Sequence, residues 1–235
     1  NGNVPAQYRD PNGHWFGLTT RARIIYASKD RVKPGEITRY EDLADPKFQG
    51  RICTRKGDHT YNIALLASMI TAHGEAEAKA WLQGLKDNLA RRPQGNDRAQ
   101  IKAVKEGVCD IAVGNSYYYG KMLKNEEQRA WADSVNLIYP NQGDRGTHVN
   151  ISGMTLTKSA PHREDALKLM RFLTESTAQK IYAEQNFEYP VKPGVEASKL
   201  IDNWGVFKAD QVSLAEVDTH RKRAAMMVNE VGYNR

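Results

Sequence analysis

Cysteine is nearly missing: Cys53 and Cys109 are the only two in 235 residues. Two are too few for the common four-ligand zinc site. They are free core thiols or one disulfide. Long apolar runs are missing as well. No stretch approaches the roughly 18 apolar residues that a membrane-crossing helix needs, so no membrane insertion is expected. Charge of one sign is nowhere concentrated. The net charge of +6 comes from 34 Lys and Arg against 28 Asp and Glu, spread along the chain with no arginine-rich arm. The longest basic cluster, His220-Arg221-Lys222-Arg223, falls on an expected C-terminal helix and reads as a solvated face. Nucleic acid is therefore not an expected partner. A mildly basic surface suits an anionic ligand or an acidic partner instead. Repeats and low-complexity tracts are lacking. So are Gly-x-Ser-x-Gly, Walker A and His-Glu-x-x-His patterns, which removes the commonest nucleophile, nucleotide and zincin chemistries. No carboxylate–histidine pair stands out as a general base, and an enzyme is not expected. The chain opens on the turn-like Asn1-Gly2-Asn3-Val4-Pro5 without an initiator methionine and reads as processed or truncated.

What the chain does contain is an alternation of short β-like runs with amphipathic segments. Strands are expected at Arg23–Ala27, Gly50–Thr54, Val108–Val113, Val135–Pro140 and Ser152–Thr157. Helices are expected at Tyr40–Ala44 after a Thr38 cap, and at Thr60–Ala72, where apolar residues recur at 63, 66, 67 and 70. Others are expected at Glu75–Leu89, Ala99–Glu106, Pro161–Leu173, Ser176–Gln185 and from Leu214 onward. This order argues for an α/β fold around a mostly parallel sheet. In such sheets ligands sit beyond the carboxyl ends of strands, where helices begin. Two stretches have that position, Cys53 to Tyr61 and Cys109 to Tyr117.

Each tyrosine follows its cysteine by eight residues, so 56 residues separate both the two cysteines and the two tyrosines. If the two short strands are parallel neighbours, the cysteines meet at one end of the pair and the phenols at the other. The spacing therefore favours the disulfide. Ser116-Tyr117-Tyr118-Tyr119-Gly120 lies where an apolar run gives way to a helical pattern. A phenol ordinarily keeps its proton to a pH near 10, and a hard, highly charged cation such as ferric iron strips it. With Ser116 as N-cap, Tyr117 and Tyr118 are the first helical residues, about 100° apart around the axis. The helix N-terminus would favour tyrosinate. Tyr119 is expected to pack inward. His59 is set aside as a ligand, because two residues from Tyr61 on a helix it would not share its face. Asp58 is expected to cap that helix, His148 to be structural, and Trp15, Trp81, Trp131 and Trp204 to be packing residues.

The motif Gly114-Asn115-Ser116-Tyr117-Tyr118-Tyr119-Gly120 resembles the paired-tyrosine motif of bacterial periplasmic ferric-ion-binding proteins, the soluble receptors of iron ABC transporters. Arg9-Asp10-Pro11-Asn12-Gly13-His14-Trp15-Phe16-Gly17-Leu18 resembles a second family segment, and Gly57-Asp58-His59-Thr60-Tyr61-Asn62 falls where the family carries a third tyrosine. Pro93–Asp97, Gly146–Gly153 and Tyr189-Pro190-Val191 agree in order, so the resemblance spans essentially the whole chain. It implies a class II periplasmic binding protein fold, two lobes joined by crossing hinge strands. Residues 1–22 would be a remnant of the N-lobe and 23–148 the C-lobe. Residues 149–235 would return to the N-lobe, with tail helices packing on the C-lobe.

By the same resemblance, Tyr61, Tyr117 and Tyr118 would hold ferric iron in the interlobe cleft, with carbonate or another synergistic anion completing the shell. Arg21 and then Arg9 would bind that anion, by the forked hydrogen bonding that guanidinium offers. Asn115 would steady the site from behind. A periplasmic monomer delivering iron to a permease at the inner membrane is implied. The family's opening N-lobe segment, which supplies an opposing His or Tyr ligand, has no counterpart here, since Tyr8 and His14 are not at that motif. A binding protein of the same fold for phosphate or another small anion is the alternative.

Overall fold

The structure, a computed structural model, describes residues 2–235. Strand β1 spans Phe16–Ser28, β2 Ile52–Cys53, helix α1 Thr60–His73, α2 Glu75–Asp87, α3 Asp97–Lys105 and β3 Ile111–Asn115. They are followed by α4 Tyr117–Leu123, α5 Glu126–Ala132, β4 Val135–Ile138, β5 Val149–Met154, α6 Arg163–Leu173, α7 Ser176–Asn186 and β6 Tyr189–Pro190. The chain closes with α8 Lys199–Asp202, α9 Leu214–Thr219 and α10 Arg221–Glu230. The α/β class read from the sequence is the class the chain adopts.

The chain divides into two compact units. The smaller joins the stretch ending at Arg21 to Val149–Val206, and the larger joins Ala22–His148 to Phe207–Arg235. In the smaller unit the Arg9-Asp10-Pro11 segment is a turn. The Asp10 carboxylate accepts from the His14 N–H at 3.0 Å, and Arg9 comes opposite Phe16. The first part of β1 pairs with β6, Thr19 opposite Pro190. Gln179 on α7 is fully buried, and its amide joins the Leu173 carbonyl to the Val191 N–H, which fixes the entry to β6.

In the larger unit the strand order is β2-β3-β1-β4. Only β2 and β3 are parallel, with Ile52 opposite Ile111. The second part of β1 runs antiparallel to both β3 and β4. The sheet is therefore mixed, which corrects the mostly parallel expectation. The crossover through α1, α2 and α3 makes β2 and β3 parallel, as such connections do. β1 arrives from the preceding segment in the opposite sense and occupies the centre. Its residues Ile24, Ile25 and Tyr26 have no exposed surface. A strand buried on both faces reads as a continuous apolar run and shows no alternation.

The helices cover this sheet because their apolar stripes are wide. Leu65, Leu66, Met69 and Ile70 of α1 and Trp81, Leu82 and Leu85 of α2 enter one core with Ile25, Ile52, Ile111 and Val113. Each such side chain contributes about 1.5–3 kcal/mol by leaving water. The Trp81 indole also donates to the Tyr40 carbonyl at 2.7 Å, so its polar edge is satisfied in the core. Helix α10 adds Met227 and Val228, and Tyr233 beyond it donates or accepts at Thr54 Oγ1, 2.8 Å away. Gly57 faces the Tyr233 ring so closely that a Cβ there would lie 2.6 Å from Cδ1. Thr38 is not a cap. The Asp42 carboxylate reaches back instead, accepting from the Thr38 and Arg39 N–H groups.

Cys53 and Cys109 form a disulfide with Cα atoms 5.9 Å apart. Cys53 closes β2, while Cys109 lies in the turn before β3, so the bridge ties that turn to the neighbouring strand. It closes a loop across 56 residues of separation. The chain-entropy relation gives such a loop about 4 kcal/mol of stabilisation. Intact-mass measurement should show the protein gaining two hydrogen masses on reduction, and Cys53→Ser/Cys109→Ser should lower denaturant-derived stability by about 2–5 kcal/mol. An unchanged mass and midpoint would contradict the bridge.

Candidate functional site

Tyr61 is the second residue of α1 and Tyr117 the first of α4. Their hydroxyl oxygens are 3.2 Å apart. Two oxygens bound side by side on one octahedral cation at about 2.0–2.1 Å stand roughly 2.9 Å apart. The pair is thus nearly at the spacing that a shared ion would impose. The Tyr118 ring packs against that of Tyr117, centroids 4.3 Å apart. Tyr119 turns away and stacks on Tyr26 at 6.4 Å. Among the described residues no group of three or more His, Cys, Asp or Glu side chains could hold a metal ion.

Two local expectations fail at these helix starts. Ser116 has helical backbone angles and makes no side-chain cap. The β1–β3 ladder ends at Arg23 opposite Asn115. The Ser116 hydroxyl and N–H then carry the pairing one step further, on the N–H and carbonyl of Ala22. The hydroxyl is spent on the strand and cannot cap α4. Likewise Asp58 does not cap α1. His59 is the cap residue, its Nδ1 accepting from the Tyr61 N–H at 3.2 Å. An accepting Nδ1 carries no proton. Desolvation, then the nearby Arg55 charge, lower the His59 pKa and keep the ring neutral. Its ring lies edge-on to Tyr61 at 4.5 Å.

Behind the phenols is a charged network that sequence reasoning missed. Asp97 is fully buried. One of its oxygens accepts from Arg23 Nη1 at 2.7 Å and from the Asn115 N–H at 2.8 Å, the other from Arg55 Nη1 at 3.0 Å. Arg23 also donates to the Asn115 side-chain oxygen at 3.0 Å and to that of Asn62 at 2.7 Å. The Asn62 amide in turn donates to the Arg55 carbonyl at 3.0 Å. The guanidinium carbons of Arg23 and Arg55 stand 5.7 and 5.1 Å from the Tyr61 ring centre. Arg98 stands 5.4 Å from Tyr118, and the Lys121 ammonium 5.3 Å from Tyr117. Four cations thus surround three phenols. Asn115, read from the sequence as a supporting residue, is a member of this network. Only the Pro93–Asp97 motif hinted at it, and no periodicity links residues 23, 55 and 97.

Arg21 and Arg9, read as anion-binding residues, belong to the smaller unit. There Arg21 donates to Ser152 Oγ at 2.9 Å, next to the buried Glu188. His148 is buried. Its N–H donates to the Tyr40 hydroxyl and its carbonyl accepts from Arg23. Gly114, just before Asn115, admits no larger residue, since a Cβ would lie 2.7 Å from the Tyr26 ring.

Burial raises the pKa of Tyr117, with hydrogen bonding to Tyr118 and Tyr61 next in weight, and burial raises that of Tyr118. Burial likewise raises Tyr26, Tyr40 and Tyr233. These groups lose their protons more readily in the unfolded chain, near the ordinary phenol value of about 10. Their contribution to stability is therefore intact below that pH and declines above it. Without metal, the denaturation midpoint should hold steady from neutral pH to about 9 and fall beyond about 10. A midpoint that rises through that window would contradict the burial of these phenols.

Residues 1–203 match the family model described as bacterial extracellular solute-binding protein. Iron uptake protein A1 of Synechocystis sp. (strain ATCC 27184 / PCC 6803 / Kazusa) is 46% identical over 233 residues, which are 98% of this chain and 65% of that protein. The chain thus spans just under two thirds of that relative's length. Among solved structures, ferric iron-binding protein A of Mannheimia haemolytica in an open conformation has 49% identity and a TM-score of 0.95, over 100% of this chain and 74% of that one. Trichodesmium FutA (IdiA), in complex with iron and citrate ligands, has 42% identity and a TM-score of 0.94, over 98% and 73%.

Proposed function

The chain belongs to the family of bacterial extracellular solute-binding proteins, and on that premise we propose that it captures ferric iron through the phenolate oxygens of Tyr61, Tyr117 and Tyr118. The observation that carries this reading is the 3.2 Å separation of the Tyr61 and Tyr117 hydroxyls, brought together across 56 residues. Three phenolates balance the charge of a trivalent ion, and hard oxygen donors favour ferric over softer ions. Relatives whose names or structures specify iron support the same solute.

A phenol that binds iron as phenolate surrenders its proton as the ion enters. Burial holds the Tyr117 proton tightly. Affinity must therefore fall as pH falls. The four surrounding cations leave the loaded site with a positive surplus over the single carboxylate of Asp97, and a carbonate or another small anion would meet it. Arg98 of the larger unit, beside the Tyr118 ring, and Arg21 and Arg9 of the smaller unit are the guanidiniums proposed for that anion. In this reading the two units are the lobes of a periplasmic receptor, which works as a monomer, performs no catalysis and passes its ion to an ABC permease.

Ferric citrate added to the protein at neutral pH should give a visible tyrosinate-to-iron charge-transfer band that fades on acidification. Tyr117→Phe should abolish most of the band and weaken binding by at least about 100-fold, beyond the 10–100-fold loss usual for an outer-shell partner. A colourless protein that retains inorganic phosphate would overturn the ferric reading in favour of an anion receptor.

A further inference from the structure

A carboxylate with no solvent exposure persists only when donors replace its water. Asp97 has three, from three separate parts of the larger unit: Arg23 of β1, Arg55 of the loop before α1, and the Asn115 N–H at the end of β3. Both arginines then face Tyr61. Arg23 also grips Asn62, the residue after Tyr61, and Asn62 holds the Arg55 carbonyl. The ring of contacts thus runs from the carboxylate through two guanidiniums to the turn of α1 that carries the phenol, and back.

We infer, resting on the ferric reading of the tyrosines, that Asp97 is the positioning residue of the phenol site: it acts through Arg23 and Arg55 to hold Tyr61 against Tyr117 and to fix two positive charges beside the Tyr61 ring. An amide in its place offers one accepting oxygen where the carboxylate uses two, and its NH2 group opposes an arginine donor. At least one guanidinium is then released. A cation 5–6 Å from a liganding ring also changes how readily the phenolate gives electron density to the metal. The charge-transfer energy therefore reports on the arginines in a way that simple scaffolding would not.

The test uses the full chain, with thermal melting to establish which variants are folded. Crystals of the iron-free wild type and of Asp97→Asn should show the Tyr61 and Tyr117 hydroxyls parting by more than the ~0.5 Å that a preorganised site tolerates. With ferric citrate, Asp97→Asn should bind 10–100-fold more weakly and shift the charge-transfer band. Arg55→Gln should shift the band the same way, and Arg55→Lys should restore it. The double variant should be no worse than either single one, because the two residues act in one chain of contacts. If Asp97→Asn does not fold, the Arg55→Gln and Arg55→Lys pair carries the test alone. Folded Asp97→Asn with wild-type hydroxyl spacing and band would overturn the inference while the wild-type colour upholds the ferric reading. A colourless wild type would sink the ferric reading, and the iron-free structures would then decide the positioning role by the hydroxyl spacing.

Discussion

The parallel pairing of β2 and β3 is the constraint on which the site depends. Their register fixes Ile52 against Ile111, and the Cys53–Cys109 bridge ties the end of β2 to the turn before β3. Each chain then runs eight residues to a tyrosine. Cys53 stands level with Ala112, and from there the loop before α1 and the rest of β3 each lead to a helix start where the Tyr61 and Tyr117 hydroxyls meet. A slip of one residue in either strand would turn its side chains to the opposite face. The covalent tie and the crossover helices exclude that slip, since α1 and α2 fill the core against both strands.

Electrostatics complete what topology begins. Tyr117 and Tyr118 hold their protons because burial penalises the anion. The cations around them work the other way, drawing negative charge to the same spot. In the proposed function a trivalent ion would resolve the opposition, replacing three protons with one charge of equal sum. Asp97 keeps the arginines from drifting into water, at the cost of burying a carboxylate. Such a group is tolerated because every donor it needs is built into the fold.

Part of this was legible in the sequence. The equal cysteine–tyrosine offsets are arithmetic on residue numbers, and the apolar spacing of α1, α2 and α3 is a local signal. Local signals gave out where partners are remote. Arg23 meets Asp97 across 74 residues and Arg55 meets it across 42, and neither pairing leaves a period or a motif of its own. The full length of β1 was hidden because the buried positions Thr19, Thr20 and Arg23 are polar and interrupt any apolar run. Ser116 looked like a cap by type, but the N–H of Ala22 claimed its hydroxyl first. Helices α4 and α5 are too short, at seven residues each, to display a period.

The central claim is that one ion sits on oxygens from residues 61, 117 and 118. Anomalous diffraction at the iron edge, from crystals soaked in ferric citrate, addresses it most directly. The account requires a single strong peak about 2 Å from all three hydroxyl oxygens. A peak on other side chains, or phenols left hydrogen-bonded to one another with no peak between them, would contradict it.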